Sequence, residues 1–162
     1  NGSIRVVVTK NISITETKNV KMVLDDEINF GILRDEIWDN FKNQIIDSKK
    51  SLLKVLKDLK KDGKTLAANS CPARCSTLMN YCDIGTELIP YIAEQPTSFK
   101  LNKYLPGKQI PIVNNKILFE DQPDYILLLA WHLKDPIIKY LRARGSKSKF
   151  IVPLPQVEVI NE

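Results

Sequence analysis

Two hydrophobic rhythms divide the chain. Before residue 63 the apolar positions Ile37, Phe41, Ile45, Leu52, Leu56 and Leu59 recur at steps of three, four or seven, which puts them on one side of a helix. Lys42, Lys49, Lys50 and Lys57 fall elsewhere on the same helix, so the pattern predicts an amphipathic helix over 35–62. At about 1.5 Å rise per residue it is about 40 Å long, and Gly63 is placed to end it in a left-handed turn. The opening "GSIRVVVTK" is rich in β-branched residues and predicts a strand at about 3–8. Its weak alternation suits a strand covered on both sides.

Beyond Gly63 the apolar residues come in short unbroken runs separated by helical stretches: "TLAAN", "PARCSTLMNYC", "LIPYIAE", "IPIV", "NKILFED", "DYILLLA", "LKDPIIKYLRAR", "KFIVPL" and "VEVI". Strands without alternation are what a parallel sheet with helices on both faces requires. The alternation of strand and helix therefore predicts a doubly wound α/β domain over 64–162, preceded in 1–63 by the strand and the long helical arm. Nine prolines punctuate the element edges.

Composition adds bounds. The chain is 43% hydrophobic and 27% charged, and no apolar run approaches the roughly 18 residues of a membrane span. With no secretory opening, a cytoplasmic chain without a membrane partner is expected. Twenty-four Lys and Arg against nineteen Asp and Glu leave +5, which allows an anionic partner. The cations lie on solvated helical faces and in "RARGSKSK" rather than in an aromatic-laced stripe, so nucleic acid is not an expected partner. Cys71, Cys75 and Cys82 fall within twelve residues, an odd set that does not suggest a disulfide framework.

The segment "NSCPARCST" follows the first strand of the α/β domain and opens a helix, the place where ligands settle in a parallel sheet. Pro72 suits a first helical turn and Ser70 a cap. Free N–H groups there, with Arg74, Ser76 and Thr77 nearby, would suit a phosphate. A capped helix with a solvated arginine explains the same residues. The glycine fingerprint of dinucleotide sites, G-x-G-x-x-G, is absent. Glu94, after the strand "LIPYIA", stands where an acid commonly accepts hydrogen bonds from a ribose, although a surface carboxylate at a strand end looks alike.

Other chemistry is thinner. Zinc wants four ligands, whereas the chain offers one C-x₃-C pair, a third cysteine and a single histidine, so no metal is expected and buried Cys75 and Cys82 read as small hydrophobes. A nucleophilic pair of Cys71 with His132 lacks an orienting acid. Trp131 and His132 end the most apolar strand: Trp131 as a stacking wall and His132 as a hydrogen-bond donor fit a crevice, and binding is favoured over base catalysis because no carboxylate partner for His132 can be named.

"KTLAANSCPARCSTLMNYCDIG", "KYLPGKQIPI", "PDYILLLAWHLKDPII" and "KFIVPLPQVEVI" together resemble the C-terminal domain of the S-adenosylmethionine-dependent C-methyltransferases that act on nucleotide-linked deoxysugars. The family's first motif runs approximately G-Y-G-A-P-A-K-G-N-T-L-L-N-Y-C-G-I-G, matched densely between Pro72 and Gly85. The resemblance implies a Rossmann-like domain that holds the nucleotide-linked sugar against a preceding methyltransferase domain, with substrate contacts at Ser70, Pro72, Arg74, Ser76, Thr77, Glu94, Gln109, Trp131 and His132. It further implies that S-adenosylmethionine, structural zinc and the catalytic His/Tyr/Glu cluster belong to domains outside this chain, which carries no cofactor and no catalytic residue of its own. Alone, the chain is expected not to methylate.

The chain departs from the pattern in places. Ala68 and Ser70 stand for glycines, Arg74 for Lys, Cys75 for Gly, Ser76 for Asn and His132 for Asn, while Lys108 and Gln109 occupy the "PG" loop. The charge at Arg74 survives, but Cys75 adds a side chain where the family has none. Two other readings compete: a dinucleotide-binding oxidoreductase module, and an interaction domain whose pocket has decayed.

Overall fold

The computed structural model describes residues 4–11 and 13–161. They fall into two units, 1–45 and 46–162. The first holds helix α1 (Lys18–Phe30) and the start of helix α2 (Asp35–Lys61). No residue of α1 is buried, and its apolar side chains Met22, Leu24, Ile28 and Phe30 are exposed. The strand expected at 3–8 is not formed over 4–8, and residue 3 lies outside the described residues. A strand exists only beside a hydrogen-bonded neighbour, and none of the sheet's seven strands comes from this segment.

Helix α2 matches the predicted span closely. Gly63 follows it at φ +72°, a conformation that costs glycine little, and Lys64 N–H reaches back to the Leu59 carbonyl at 3.0 Å. Leu52 and Leu56 are fully buried while Phe41 and Ile45 are exposed. The C-terminal part of the apolar stripe therefore belongs to the α/β unit, which is why the division falls inside the helix.

The second unit is built on β1 (Leu66–Asn69), β2 (Ile92–Glu94), β3 (Lys103–Tyr104), β4 (Pro111–Asn114), β5 (Tyr125–Leu128), β6 (Lys149–Val152) and β7 (Glu158–Ile160). Their order across the sheet is β3-β4-β2-β1-β5-β6-β7. The five central strands run parallel, and β3 and β7 close the edges antiparallel to β4 and β6. Helices α3 (Cys75–Tyr81), α4 (Ile117–Asp121) and α5 (Lys134–Ala143) connect them.

Successive residues of a strand feed opposite faces, so each central strand must be apolar throughout. Leu66, Ala68, Ile92, Leu127 and Ile151 pack with Leu52 and Leu56 of α2 and with Cys75 and Met79 of α3. Ala67, Ala93, Ile126, Leu128 and Phe150 pack with Leu118 of α4 and Leu141 of α5 on the other side. The expected α/β fold with a mainly parallel sheet covered on both faces is thus observed. Two elements escaped the sequence pattern: α1, which buries nothing, and β3, whose two residues are exposed.

The chain moves outward from β1 through β2 to β4, then crosses back to place β5 on β1's other side. At the amino ends of these two strands the Asp124 carboxylate accepts the Thr65 N–H (2.8 Å) and hydroxyl (2.9 Å), while Asp124 N–H donates to the Thr65 hydroxyl. The Thr65 N–H and hydroxyl hold the Asp124 carboxyl below its ordinary value. The contribution requires the ionised form, so it is present above the unfolded-state pKa of about 3.9 and is lost as pH falls through the lowered native value. Asp124→Ala is expected to destabilise by about 1 kcal/mol at pH 7, allowing for an exposed site. Urea unfolding of both proteins should show the gap closing well below pH 4; a gap unchanged with pH would contradict the role of the charge.

Candidate functional site

Where β1 and β5 lie side by side, the chain leaves their carboxyl ends in opposite senses, toward β2 by way of α3 and toward β6 by way of α5. In doubly wound sheets such a reversal is where diverging loops form a ligand crevice, and the loops at this place are termed the crevice loops. Hydrogen bonds extend the sheet to its lip: Ser70 N–H donates to Ala93 O at 2.8 Å, and Leu129 N–H to Asn69 O at 3.1 Å.

The loop after β1 turns at Ser70, whose φ of +68° lies in the left-handed region. Serine there costs of the order of 1 kcal/mol that glycine avoids. The Ser70 hydroxyl donates to Asn69 Oδ1 at 2.9 Å, so Ser70 does not cap α3. The helix starts later than the sequence suggested: its N-cap is Arg74, with no side-chain cap, and Pro72 lies in the preceding turn, its carbonyl accepting the Cys75 N–H at 2.9 Å. Seven residues make α3 a short helix with a small dipole. Ser76 spends its hydroxyl proton on the Ala73 carbonyl (3.0 Å), and Thr77 is exposed.

On the other side of the crevice, Trp131 and His132 open a 3₁₀ turn, Trp131–Leu133. Trp131 is half-buried against the α4–α5 core. The Arg74 guanidinium lies over its ring, 5.7 Å from the centroid, within the range of a cation–π contact. The two loops therefore meet through these two side chains. His132 lies edge-on to Trp131, centroids 6.3 Å apart, and its Nδ1 is buried with no hydrogen-bond partner among the described residues.

Glu94 ends β2 and faces the same loop. One carboxylate oxygen accepts the Cys71 N–H at 2.8 Å and the other the Gln95 N–H at 2.9 Å. Its shown work is to tether the β1–α3 loop; lone pairs remain on both oxygens. Lys100 holds the other side of the same residue, donating through Nζ to the Cys71 carbonyl. Sequence reasoning missed Lys100; the signal available was a cation in the loop that leaves the carboxyl end of a parallel strand. With Arg74, it gives this rim two cationic side chains.

Gln109 is not part of this constellation. It precedes β4, which runs parallel to β2, so it lies at the amino rim, across the full length of the sheet from Arg74 and Trp131. There it is exposed, at φ +52°, beside a pocket of about 370 Å³ that Asp83, Thr86, Glu87 and Lys108 also line. The sequence motif placed Gln109 near the crevice because motif order says nothing of which end of a strand a loop occupies. A second concavity of about 270 Å³, flanked by Lys64, Lys147 and Lys149, also opens on the amino rim.

The cysteines are buried, as expected for Cys75 and Cys82, and Cys71 with them. Among the described residues no group of three or more His, Cys, Asp and Glu is arranged to hold a metal ion. No described helix is long and apolar enough to cross a membrane.

The family model for the C-methyltransferase C-terminal domain matches residues 1–155. The chain belongs to that family. It is 31% identical over 146 residues to the C-methyltransferase NovU of Streptomyces niveus, an alignment that takes in 88% of this chain and 34% of the relative. The chain thus spans about a third of the length of the curated relative it matches. The match extends over the helical arm as well as the α/β unit.

Removing the Glu94 tether should free the crevice loop without touching the sheet. Glu94→Ala is expected to speed amide exchange at Cys71 by tenfold or more, the loss of a charge-assisted hydrogen bond, with Leu127 in β5 unchanged. Glu94→Gln, which keeps an acceptor oxygen, should show a smaller effect. Equal exchange at Cys71 in all three proteins would show that the tether does not hold the loop.

Proposed function

We propose that this chain is the nucleotide-sugar-binding domain of a sugar C-methyltransferase, and that its crevice holds the diphosphate of a nucleotide-linked keto-deoxysugar. The reading is carried by the meeting of Arg74 and Trp131 at the strand-order reversal. A planar guanidinium offers several donors to phosphate oxygens, and a tryptophan face offers a flat apolar wall. Lys100 adds a second cation on the same rim, and the N–H groups of Ala73 and Arg74, which have no backbone acceptor among the described residues, add neutral donors.

In this reading Glu94 acts mainly by fixing the loop, with its remaining lone pairs open to a ribose hydroxyl. His132 borders the sugar or the base through Nε2. Ser70, Pro72, Ser76 and Thr77 shape the loop rather than supply separate charges, and Gln109 takes no part.

The rim is open, with Arg74 and Thr77 exposed, and a preceding methyltransferase domain is proposed to close it. That domain would bring S-adenosylmethionine to supply the methyl group, the structural zinc and the base for the proton beside the sugar's keto group. The residues of the present chain bind and orient, and alone they would not transfer a methyl group.

Titration of isotope-labelled protein with dTDP-, UDP- and GDP-sugars tests the reading. Saturable amide shifts confined to residues 70–77, 94–100 and 131–132 are expected with at least one of them. No shift with any of the three would overturn it, and the same shifts with NADH alone would favour a dinucleotide site instead.

A further inference from the structure

The crevice loop contains a thiol pair that the proposed binding role does not use. Cys71 Sγ and Cys75 Sγ lie 3.5 Å apart, both buried, with Cys71 5% exposed and Cys75 not at all. A disulfide bond is about 2.05 Å long, so the sulfurs need to approach by only about 1.5 Å. The third thiol, Cys82, caps the far end of α3, seven residues and about 10 Å along the helix from Cys75 at about 1.5 Å rise per residue, too far for a disulfide. We propose that Cys71 and Cys75 are a reversible dithiol–disulfide site that resets the crevice loop.

The two thiols are unequal. The hydrogen bond from Cys75 lowers the Cys71 thiol below its ordinary value, helped by the Lys100 charge and opposed by burial and the Glu94 charge, and the same bond together with burial raises Cys75. Cys71 is also the nearer to the surface, which makes it the first nucleophile. With a glutathione-type disulfide as oxidant, the Cys71 thiolate attacks one sulfur and expels a glutathione thiolate. Cys75 then attacks the Cys71 sulfur of the mixed disulfide and expels the second, the Cys75 proton passing to the departing glutathione thiolate. Two protein thiols are oxidised by two electrons and the small disulfide is reduced to two thiols. Thiol reductants reverse both steps.

Closure has a structural consequence because the Cys71 backbone is held on both sides of its Cα, its N–H by Glu94 and its carbonyl by Lys100. Cys75 begins α3 and follows Arg74 directly. Drawing the sulfurs together strains those tethers or turns the start of α3, and either movement shifts Arg74 relative to Trp131.

The test uses the 162-residue chain treated with oxidised glutathione and read by intact mass and by alkylation after denaturation, with no nucleotide present, so its outcome is independent of the binding role proposed above. The expected product has lost about 2 Da, leaves only Cys82 to alkylate, regains all three thiols with dithiothreitol, and shows altered amide shifts at residues 70–75 and 131. Cys75→Ser should instead retain one glutathione on Cys71. Three alkylatable thiols after treatment, a disulfide that includes Cys82, a 2-Da loss that persists in Cys75→Ser, or a disulfide that leaves the amide shifts unchanged would each overturn the proposal.

Discussion

The parallel pairing of β1 with β5, registered from Leu66 beside Tyr125 to Asn69 beside Leu128, is the constraint on which the rest of the α/β unit depends. It joins strands separated by most of the domain's sequence, and the intervening chain must therefore wind out on one side and return on the other. Both faces of the pair are then covered, which explains the unbroken apolar runs and the alanines 67 and 68 at its centre. It also leaves two loops diverging at the carboxyl ends. Arg74 and Trp131 lie far apart in sequence and meet only because these strands are neighbours.

Polar contacts at the two ends of the pair differ in kind. The amino end is locked by the mutual Thr65–Asp124 hydrogen bonds. At the carboxyl end, beyond the Leu129–Asn69 backbone bond, the loop is held by groups outside the pair, Glu94 accepting the Cys71 N–H and Lys100 donating to the Cys71 carbonyl, and the positive φ at Ser70 adds local strain. A rigid base and a tethered, strained loop are the arrangement expected where a fold holds a ligand. The cysteine pair lies inside that loop, so any change in its bonding acts where the loop is already under tension.

Much of the α/β unit was legible in the sequence because burial on both faces leaves a plain signature in "TLAAN", "DYILLLA" and "KFIVPL". The long helix was legible from its apolar stripe and Gly63. Elements that bury little, α1 and β3, leave no such signature, and a strand at 3–8 was suggested by β-branched residues that, over the described residues 4–8, have no strand to pair with. Within the site, strand-end position singled out Arg74, Glu94, Trp131 and His132, which do share one rim. It could not tell that Glu94's nearest partners are backbone N–H groups of its own chain, that Ser70 bonds Asn69 instead of capping α3, or that Gln109 stands at the other rim. Those facts depend on chain direction and loop geometry, which residue type does not encode.

Calorimetry of nucleoside diphosphate binding to the parent chain, Arg74→Ala, Trp131→Ala and the double variant tests the central claim most directly. If the two side chains clasp one ligand, each single change weakens binding by about tenfold or more. The double variant then loses less than the sum of the two, with a coupling of about 1 kcal/mol. Affinity unaffected by either substitution, or full additivity of the two losses, would contradict a shared diphosphate site at this crevice.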